Sequence, residues 1–145
     1  FEDYDYVIDA VDTVTAKIQL VMACQAAGTL IISSMGAGNK LDPTKFQVAD
    51  IYQTSIDPLA RVMRRELKKR QVKHLKVVYS TEEALTPLTA EEDHVSAGEI
   101  SPDVEHISGR RSTPGSVAFV PSVAGLIIGG EVIKDLTKDA MRRVR

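Results

Sequence analysis

Two short runs of β-forming residues, on either side of one helix-length segment, constrain the fold of this chain more than any other feature. The runs lie at residues 6–10 and 29–33. Between them, Val14, Ile18 and Val21 recur at helical spacing, so the segment has one apolar face. Because strands joined through a helix by short links run parallel, this order predicts an α/β fold built on a parallel sheet.

The remaining chain predicts two more strands and two more helices. Residues 46–51 alternate apolar and polar side chains, which predicts a half-exposed strand, and residues 75–79 predict another short strand. Asp57 followed by Pro58 predicts a helix start, because the carboxylate can cap the backbone and proline suits the first helical position. Residues 117–130 form an apolar stretch of about 14 residues. That stretch is too short to cross a bilayer, so a buried helix is expected there.

Composition excludes several classes of site. The chain has 145 residues and a formal net charge of -2, which gives no general attraction to nucleic acid or to anionic membranes. A single cysteine, Cys24, excludes an internal disulfide framework and a multi-cysteine zinc site. The histidines show no metal-ligand spacing. The polar residues 80–113 lack a persistent period, and we expect a mobile loop there.

Three blocks of sequence occur in a recognisable order. They are VIDAVDTVTAK at 7–17, NKLDPTKFQVAD at 39–50 with DPLA at 57–60, and PGSVAFVPSVAG at 114–125 continuing to EVIKDL at 131–136. Together they resemble the ThiF/HesA/MoeB-like superfamily, the ubiquitin-activating type of adenylate-forming enzyme. Within it they are most similar to the tRNA threonylcarbamoyladenosine dehydratase branch, over nearly the whole chain.

The resemblance implies a doubly wound, Rossmann-like α/β sheet. Residues 1–145 would be its C-terminal portion, with the N-terminal nucleotide-binding half missing and residues 80–113 crossing over the site. The implied enzyme adenylates a carboxylate with ATP and magnesium, after which a nucleophile displaces AMP. In the dehydratase branch that carboxylate is the threonine carboxyl on an adenosine beside a tRNA anticodon, and ring closure removes water. The resemblance also implies a homodimer with tRNA as its partner. We expect a cytoplasmic protein without a membrane segment.

Asp12 matches the metal-facing aspartate of the family. A carboxylate that follows a parallel strand and precedes a helix lies in the crevice where α/β sheets bind ligands. Magnesium takes one or two carboxylates together with phosphate oxygens. We therefore predict that Asp12 binds the metal and the nucleotide; the alternative is that it only caps the helix. Asp9 is expected to be a strand-end polar group, and Lys17 a solvated charge.

A second candidate surface is a basic cluster on the helix that begins at Pro58. Its members recur at a spacing of three and four residues, so they share one face. The predicted tRNA-binding residues are Arg61, Arg64, Arg65, Lys68 and Lys69. Contacts to phosphates would be independent of sequence and sensitive to salt. The alternative is an ordinary solvated helix face.

The sequence also departs from the family pattern. The glycine-rich nucleotide loop and its Arg and Lys partners lie upstream of the first block in the family and are not found here. The chain begins with Phe1 and a strand almost at once, so we expect a fragment that is inactive alone. Residues 35–38 do not open into a helix and predict a turn bordering the site. Two alternatives remain: a zinc-free adenylyltransferase for a sulfur-carrier or ubiquitin-like protein, and a non-catalytic dimerisation or docking module.

Overall fold

The computed structural model describes residues 1–86 and 115–138. Within these ranges it contains four strands and three α-helices. In chain order they are β1 Tyr6–Asp9, α1 Val14–Ala27, β2 Leu30–Ser34, β3 Phe46–Asp50, α2 Pro58–Lys69, β4 Lys76–Ser80 and α3 Phe119–Leu136. The four predicted strands are confirmed to within one residue at each end. The first helix lies between the first two strands, as predicted, and the second begins at the predicted Pro58. Two short 3-10 turns, Pro43–Lys45 and Ile51–Gln53, flank β3.

The sheet has the strand order β1-β2-β4-β3. β1 pairs parallel with β2, from Tyr6 opposite Leu30 to Asp9 opposite Ser33, so the parallel pair predicted from sequence is confirmed. β2 and β4 are also parallel, whereas β3 is an antiparallel strand at the edge. None of the residues of β3 is buried, which agrees with the predicted half-exposed strand.

Helices cover both faces of the sheet, as a doubly wound arrangement requires. Successive side chains of a strand point to opposite faces. In β4, Val77 and Tyr79 therefore pack into the core shared with α1 and α2, whereas Val78 packs against α3. The core on the side of α1 and α2 is the larger, and it includes Met63 and Leu67 of α2, both fully buried.

The expectation of a buried helix at residues 117–130 is only half right. α3 buries one side, through Val120, Ala124 and Ile128. Its other side exposes Leu126 at 76% and Ile133 at 61%. The apolar composition of α3 therefore reflects two apolar faces, of which the sheet covers one. None of the helices in the described ranges is long and apolar enough to cross a membrane.

The far end of α3 is held to the sheet by charged groups. Lys76 of β4 lies 2.7 Å from Glu131 and 2.9 Å from Asp135, measured from Nζ to the carboxylate oxygens. The hydroxyl of Tyr6 in β1 donates to Asp135 at 2.8 Å. Burial and the neighbouring Asp135 carboxylate raise the pKa of Tyr6, so it remains a neutral donor. One carboxylate thus joins α3 to two strands.

The predicted mobile loop at 80–113 falls largely outside the described residues. One of its bounds is corrected, because Ser80 is the buried last residue of β4. Its hydroxyl accepts a hydrogen bond from the backbone N–H of Glu82 at 3.1 Å. The predicted loop therefore begins after Ser80.

Candidate functional site

A cleft of about 700 Å³ opens at the carboxyl ends of β1 and β2. Two of its walls are the segments that follow β1 and β2, and a third is the start of α2. Gly115, Ser116 and one side of α3 complete the cleft. Ligands of open α/β sheets bind in this position, because the strand ends leave a crevice between the loops. The predicted turn at residues 35–38 borders this cleft, which confirms that interpretation.

Asp12 lies in the wall of the cleft and is exposed. It follows β1 by three residues. The N-cap position of α1 is occupied by Thr13, and no side chain caps that helix. Asp12 is therefore not a helix cap. Among residues 1–86 and 115–138 there is no group of three or more His, Cys, Asp or Glu side chains that could hold a metal ion. A cation at Asp12 would need further oxygens from a ligand or from water.

Directly behind Asp12 lies a buried ion pair between Lys17 of α1 and Asp9 of β1. The Lys17 ammonium is 3.2 Å from both carboxylate oxygens of Asp9, and it also donates to the carbonyl of Ser34 at 2.7 Å. The Ser33 hydroxyl donates to the same carboxylate. The expectation that Lys17 is solvated is wrong: it is 1% exposed. Asp9, expected to be only a strand-end polar group, is the centre of this network.

The network holds the backbone that presents Asp12. The N–H of Val11 donates to Asp9 at 3.1 Å, so the turn after β1 is tied to the carboxylate. Lys17 ties the same carboxylate to the end of β2. Burial lowers the pKa of Lys17, and the adjacent Asp9 carboxylate partly offsets that effect by favouring the charged form. The pair therefore joins β1, α1 and β2 at the point where the cleft opens.

A second buried pair stands in the cleft wall between the loop after β2 and α2. Lys40 donates to the carbonyl of Gly36 at 2.7 Å and to Asp57 at 3.3 Å. Asp57 also accepts the N–H of Ala60 at 2.7 Å, which confirms the predicted cap of α2. A Cβ on Gly36 would lie 2.8 Å from the Asp57 carboxylate, so only glycine permits this close approach.

Neither buried lysine was identified as a site residue from the sequence. For Lys17 a signal existed, because it stands three residues after Val14 and four before Val21, inside the apolar stripe of α1. A charge within such a stripe needs a buried partner, and Asp9 at the end of the preceding strand is that partner. For Lys40 no comparable signal existed, since its partner Asp57 is 17 residues away and is reached through a loop.

The predicted basic face of α2 is not uniform. Lys69 and Arg70 each lie 2.9 Å from Glu66, and Arg65 lies 3.4 Å from it, so one carboxylate partly neutralises three cations. These pairs lower the pKa of Glu66 to about 2, with Lys69 and then Arg70 as the main causes. Arg64 is turned towards the protein, where its guanidinium donates to the carbonyl of Thr54 at 2.8 Å. Four of the five predicted residues remain exposed, namely Arg61, Arg65, Lys68 and Lys69.

No protein-family profile matches the chain, but individual proteins do. The chain is 47% identical over its whole length to the tRNA threonylcarbamoyladenosine dehydratase of Bacillus subtilis, of which it covers 57%. It is 43% identical to dehydratase 2 of Saccharomyces cerevisiae, over 61% of the chain and 21% of that protein. The chain thus spans about half the length of the Bacillus relative, and less of the yeast one.

Solved structures of a dehydratase also resemble this chain. The tRNA N6-threonylcarbamoyladenosine dehydratase of Escherichia coli in complex with AMP superposes with a TM-score of 0.72 and 28% identity, covering 97% of this chain and 51% of that one. The complex of the same enzyme with ATP superposes with a TM-score of 0.71 and 26% identity, covering 96% and 50%.

The doubly wound α/β fold of the chain matches that of the dehydratase structures over about half of their length. The chain is homologous to the tRNA threonylcarbamoyladenosine dehydratases, and the resemblance drawn from the three sequence blocks is thereby confirmed.

Proposed function

We propose that this protein is an ATP-dependent tRNA threonylcarbamoyladenosine dehydratase, with residues 1–145 as the C-terminal portion of its ThiF-type domain. The observation that carries the proposal is the cleft at the ends of β1 and β2, in a chain 47% identical throughout to a dehydratase. ATP would activate the threonine carboxyl as an adenylate. Attack from within the same nucleoside would then release AMP and close a ring, with net loss of water.

The residues around the cleft fit a magnesium nucleotide. Asp12 offers one exposed carboxylate after a parallel strand, and magnesium commonly uses one or two carboxylates plus phosphate oxygens. Bound there, magnesium would neutralise charge that develops on the phosphates. The chain's own contribution is to hold Asp12 in place through the Asp9–Lys17 pair. The Lys40–Asp57 pair holds the opposite wall.

Replacing Asp12 tests this role. Asp12→Ala and Asp12→Asn, made in the protein expressed from its complete gene, should lower ATP-dependent turnover roughly 100-fold or more, because losing the metal would remove charge stabilisation worth several kcal/mol. The melting temperature should not change, since Asp12 neither caps α1 nor is buried. Asp3→Ala, an exposed aspartate in the N-terminal segment outside the cleft wall, is the matched control. Normal turnover of Asp12→Asn in magnesium would refute the assignment.

The substrate is tested separately from the nucleotide. Deleting the gene should leave anticodon-loop nucleosides in the open threonylcarbamoyl form, and mass spectrometry should show the cyclised form restored by the intact gene. The relatives named above are all dehydratases, which favours this substrate over the carboxyl terminus of a carrier protein. Unchanged nucleosides, with adenylation of a carrier protein instead, would reverse the choice. The inactivity expected of the 145-residue chain alone stays a prediction, tested by ATP–pyrophosphate exchange.

For tRNA binding, the supporting feature is the exposed row of cations on α2. The start of that helix lines the cleft through Pro58 and Leu59, so a tRNA bound along α2 would pass close to the site. We propose Arg61, Arg65, Lys68 and Lys69 as phosphate contacts. Arg64 would support them from its position against Thr54.

For the homodimer, the supporting feature is the outer face of α3. Phe119, Leu126 and Ile133 follow each other at intervals of seven residues and are more than half exposed. Such spacing suits packing against a second helix. We propose a homodimer in the cytoplasm, where tRNA is modified. Light scattering of the protein expressed from its complete gene, before and after Leu126→Gln, tests the dimer; a mass of one chain for the unsubstituted protein would exclude it.

A further inference from the structure

Asn39 adopts a backbone conformation that most residues avoid. Its φ of 57° lies in the left-handed region, which asparagine tolerates better than other residues with a side chain, glycine apart. It stands between Gly38 and Lys40, both of which line the cleft.

Three hydrogen bonds join Asn39 to two distant parts of the chain. Its N–H donates to the carbonyl of Gly115 at 2.8 Å, and its side-chain Oδ1 accepts the N–H of Gly115 at 2.7 Å. Its own carbonyl accepts the N–H of Leu85 at 2.7 Å. Both polar groups of the Gly115 backbone are thus satisfied by one residue, which also holds position 85.

Gly115 depends on Asn39 for its position. Within residues 1–86 and 115–138, Asn39 is the only hydrogen-bond partner of Gly115. Gly115 and Ser116 line the cleft, and α3 begins shortly afterwards at Phe119. Because Gly115 itself is exposed, little packing would keep this wall in place without the two hydrogen bonds.

We propose that Asn39 is a positioning residue of the enzyme, whose side-chain oxygen holds the Gly115–Ser116 wall of the cleft in the arrangement that accepts the tRNA substrate. The proposal rests on the proposed function. The requirement is for two properties in one residue. The backbone must be left-handed, so that both the N–H and the carbonyl point at their partners, and the side chain must carry an acceptor two bonds beyond Cβ.

Three substitutions separate these properties. Asn39→Asp keeps the acceptor and tolerates the left-handed backbone. Asn39→Gly adopts the left-handed backbone with ease but has no acceptor. Asn39→Ala loses the acceptor and is strained as well. If Asn39 served only as a turn residue, Asn39→Gly would equal the unsubstituted protein and Asn39→Ala alone would be impaired.

The experiment measures kcat and KM for threonylcarbamoyladenosine-bearing tRNA at saturating ATP, using the protein expressed from its complete gene. One neutral hydrogen bond is worth about 1 kcal/mol, so kcat/KM should fall roughly three- to tenfold in both Asn39→Gly and Asn39→Ala, mainly through KM. Asn39→Asp should stay within about twofold. Melting temperatures show whether each variant is folded. Unimpaired kcat/KM in a folded Asn39→Gly would overturn the proposal.

Hydrogen exchange at the Gly115 amide provides a readout that does not depend on turnover. Exchange should be faster in Asn39→Gly and unchanged in Asn39→Asp, because only the former removes the acceptor. If the unsubstituted protein does not dehydrate the tRNA, the proposed function fails, and this exchange then decides whether Asn39 holds the wall. Equal exchange in Asn39→Gly and the unsubstituted protein would refute the role of its side chain.

Discussion

Two groups of basic side chains occupy opposite environments in this molecule. Lys17 and Lys40, at the cleft, have side chains only 2% exposed, and each pairs with an aspartate that is fully buried. On α2, by contrast, Arg65 is 68% and Lys69 62% exposed, and both share one carboxylate, Glu66. The lysines at the cleft stabilise the backbone around them, whereas Arg65 and Lys69 of α2 face solvent and remain accessible to a partner.

The difference shows that the contribution of a charged side chain to stability depends on whether the side chain is buried. A buried ammonium has lost its water, so removing its aspartate leaves a charge that nothing solvates. An exposed ammonium keeps its water, and a pair at the surface contributes little to stability.

Removing Lys17 should have the largest effect on stability. Lys17→Met leaves the Asp9 carboxylate buried without its cation, which typically costs about 3–5 kcal/mol in the free energy of unfolding. Urea unfolding monitored by circular dichroism measures the loss. Adding Asp9→Asn to Lys17→Met removes the stranded charge and should restore part of the stability. A Lys17→Met variant as stable as the parent would contradict this account of the buried pair.

Removing Lys40 should cost less than removing Lys17. Lys40→Met also leaves a buried aspartate, but Lys40 contacts only one oxygen of Asp57, at 3.3 Å, whereas Lys17 contacts both oxygens of Asp9. We expect a loss of about 2–3 kcal/mol, at or below the lower end for a broken buried pair. The same unfolding experiment, run beside Lys17→Met, ranks the two pairs. Equal losses would mean that the number of contacts between lysine and aspartate does not set the order.

On α2 the expected effect is on tRNA binding rather than on folding. Replacing Arg61, Arg65, Lys68 and Lys69 together by Gln should weaken binding and flatten the plot of log affinity against log salt. Each lost phosphate contact lowers that slope by somewhat less than one unit. The control is Lys134→Gln, an exposed lysine on α3 paired with Glu131. An unchanged slope in the fourfold variant would leave the cations of α2 as a solvated face.

The smallest effect should be the pH dependence contributed by Glu66. Its pKa is about 2 in the folded protein, against 4.5 ordinarily, because Lys69 and Arg70 stabilise the ionised form. Its contribution to stability is therefore complete above about pH 4.5 and is lost as the pH falls through about 2. Glu66→Gln should flatten the fall in the urea midpoint over that range and lower the midpoint slightly at pH 7, since surface pairs contribute little to stability. A parallel acid profile in Glu66→Gln would contradict the shift.

Local pattern was sufficient for the elements of this fold. The β-forming runs placed each strand within one residue of its observed bounds, the Asp57–Pro58 pair placed the start of α2, and helical spacing indicated α1. These signals reside in neighbouring residues, so no knowledge of the rest of the chain was required. The same holds for the position of Asp12, which follows from its place after the first strand. Its role in binding metal and nucleotide stays a prediction.

What local pattern could not supply was the partner of each side chain. Lys17 was expected to be solvated, but it is buried. The apolar stripe of α1 packs over the end of β1, and this places the Lys17 ammonium against the Asp9 carboxylate. α3 was expected to be a buried helix, yet the sheet covers only one of its two apolar faces. Lys40 reaches Asp57, and Asn39 reaches Gly115, only because loops distant in sequence meet at the cleft.

The sequence by itself thus determined which segments form strands and helices, since propensity and spacing are local. Burial, ion pairing and the shape of the cleft were decided by the tertiary structure, because they depend on which surfaces meet.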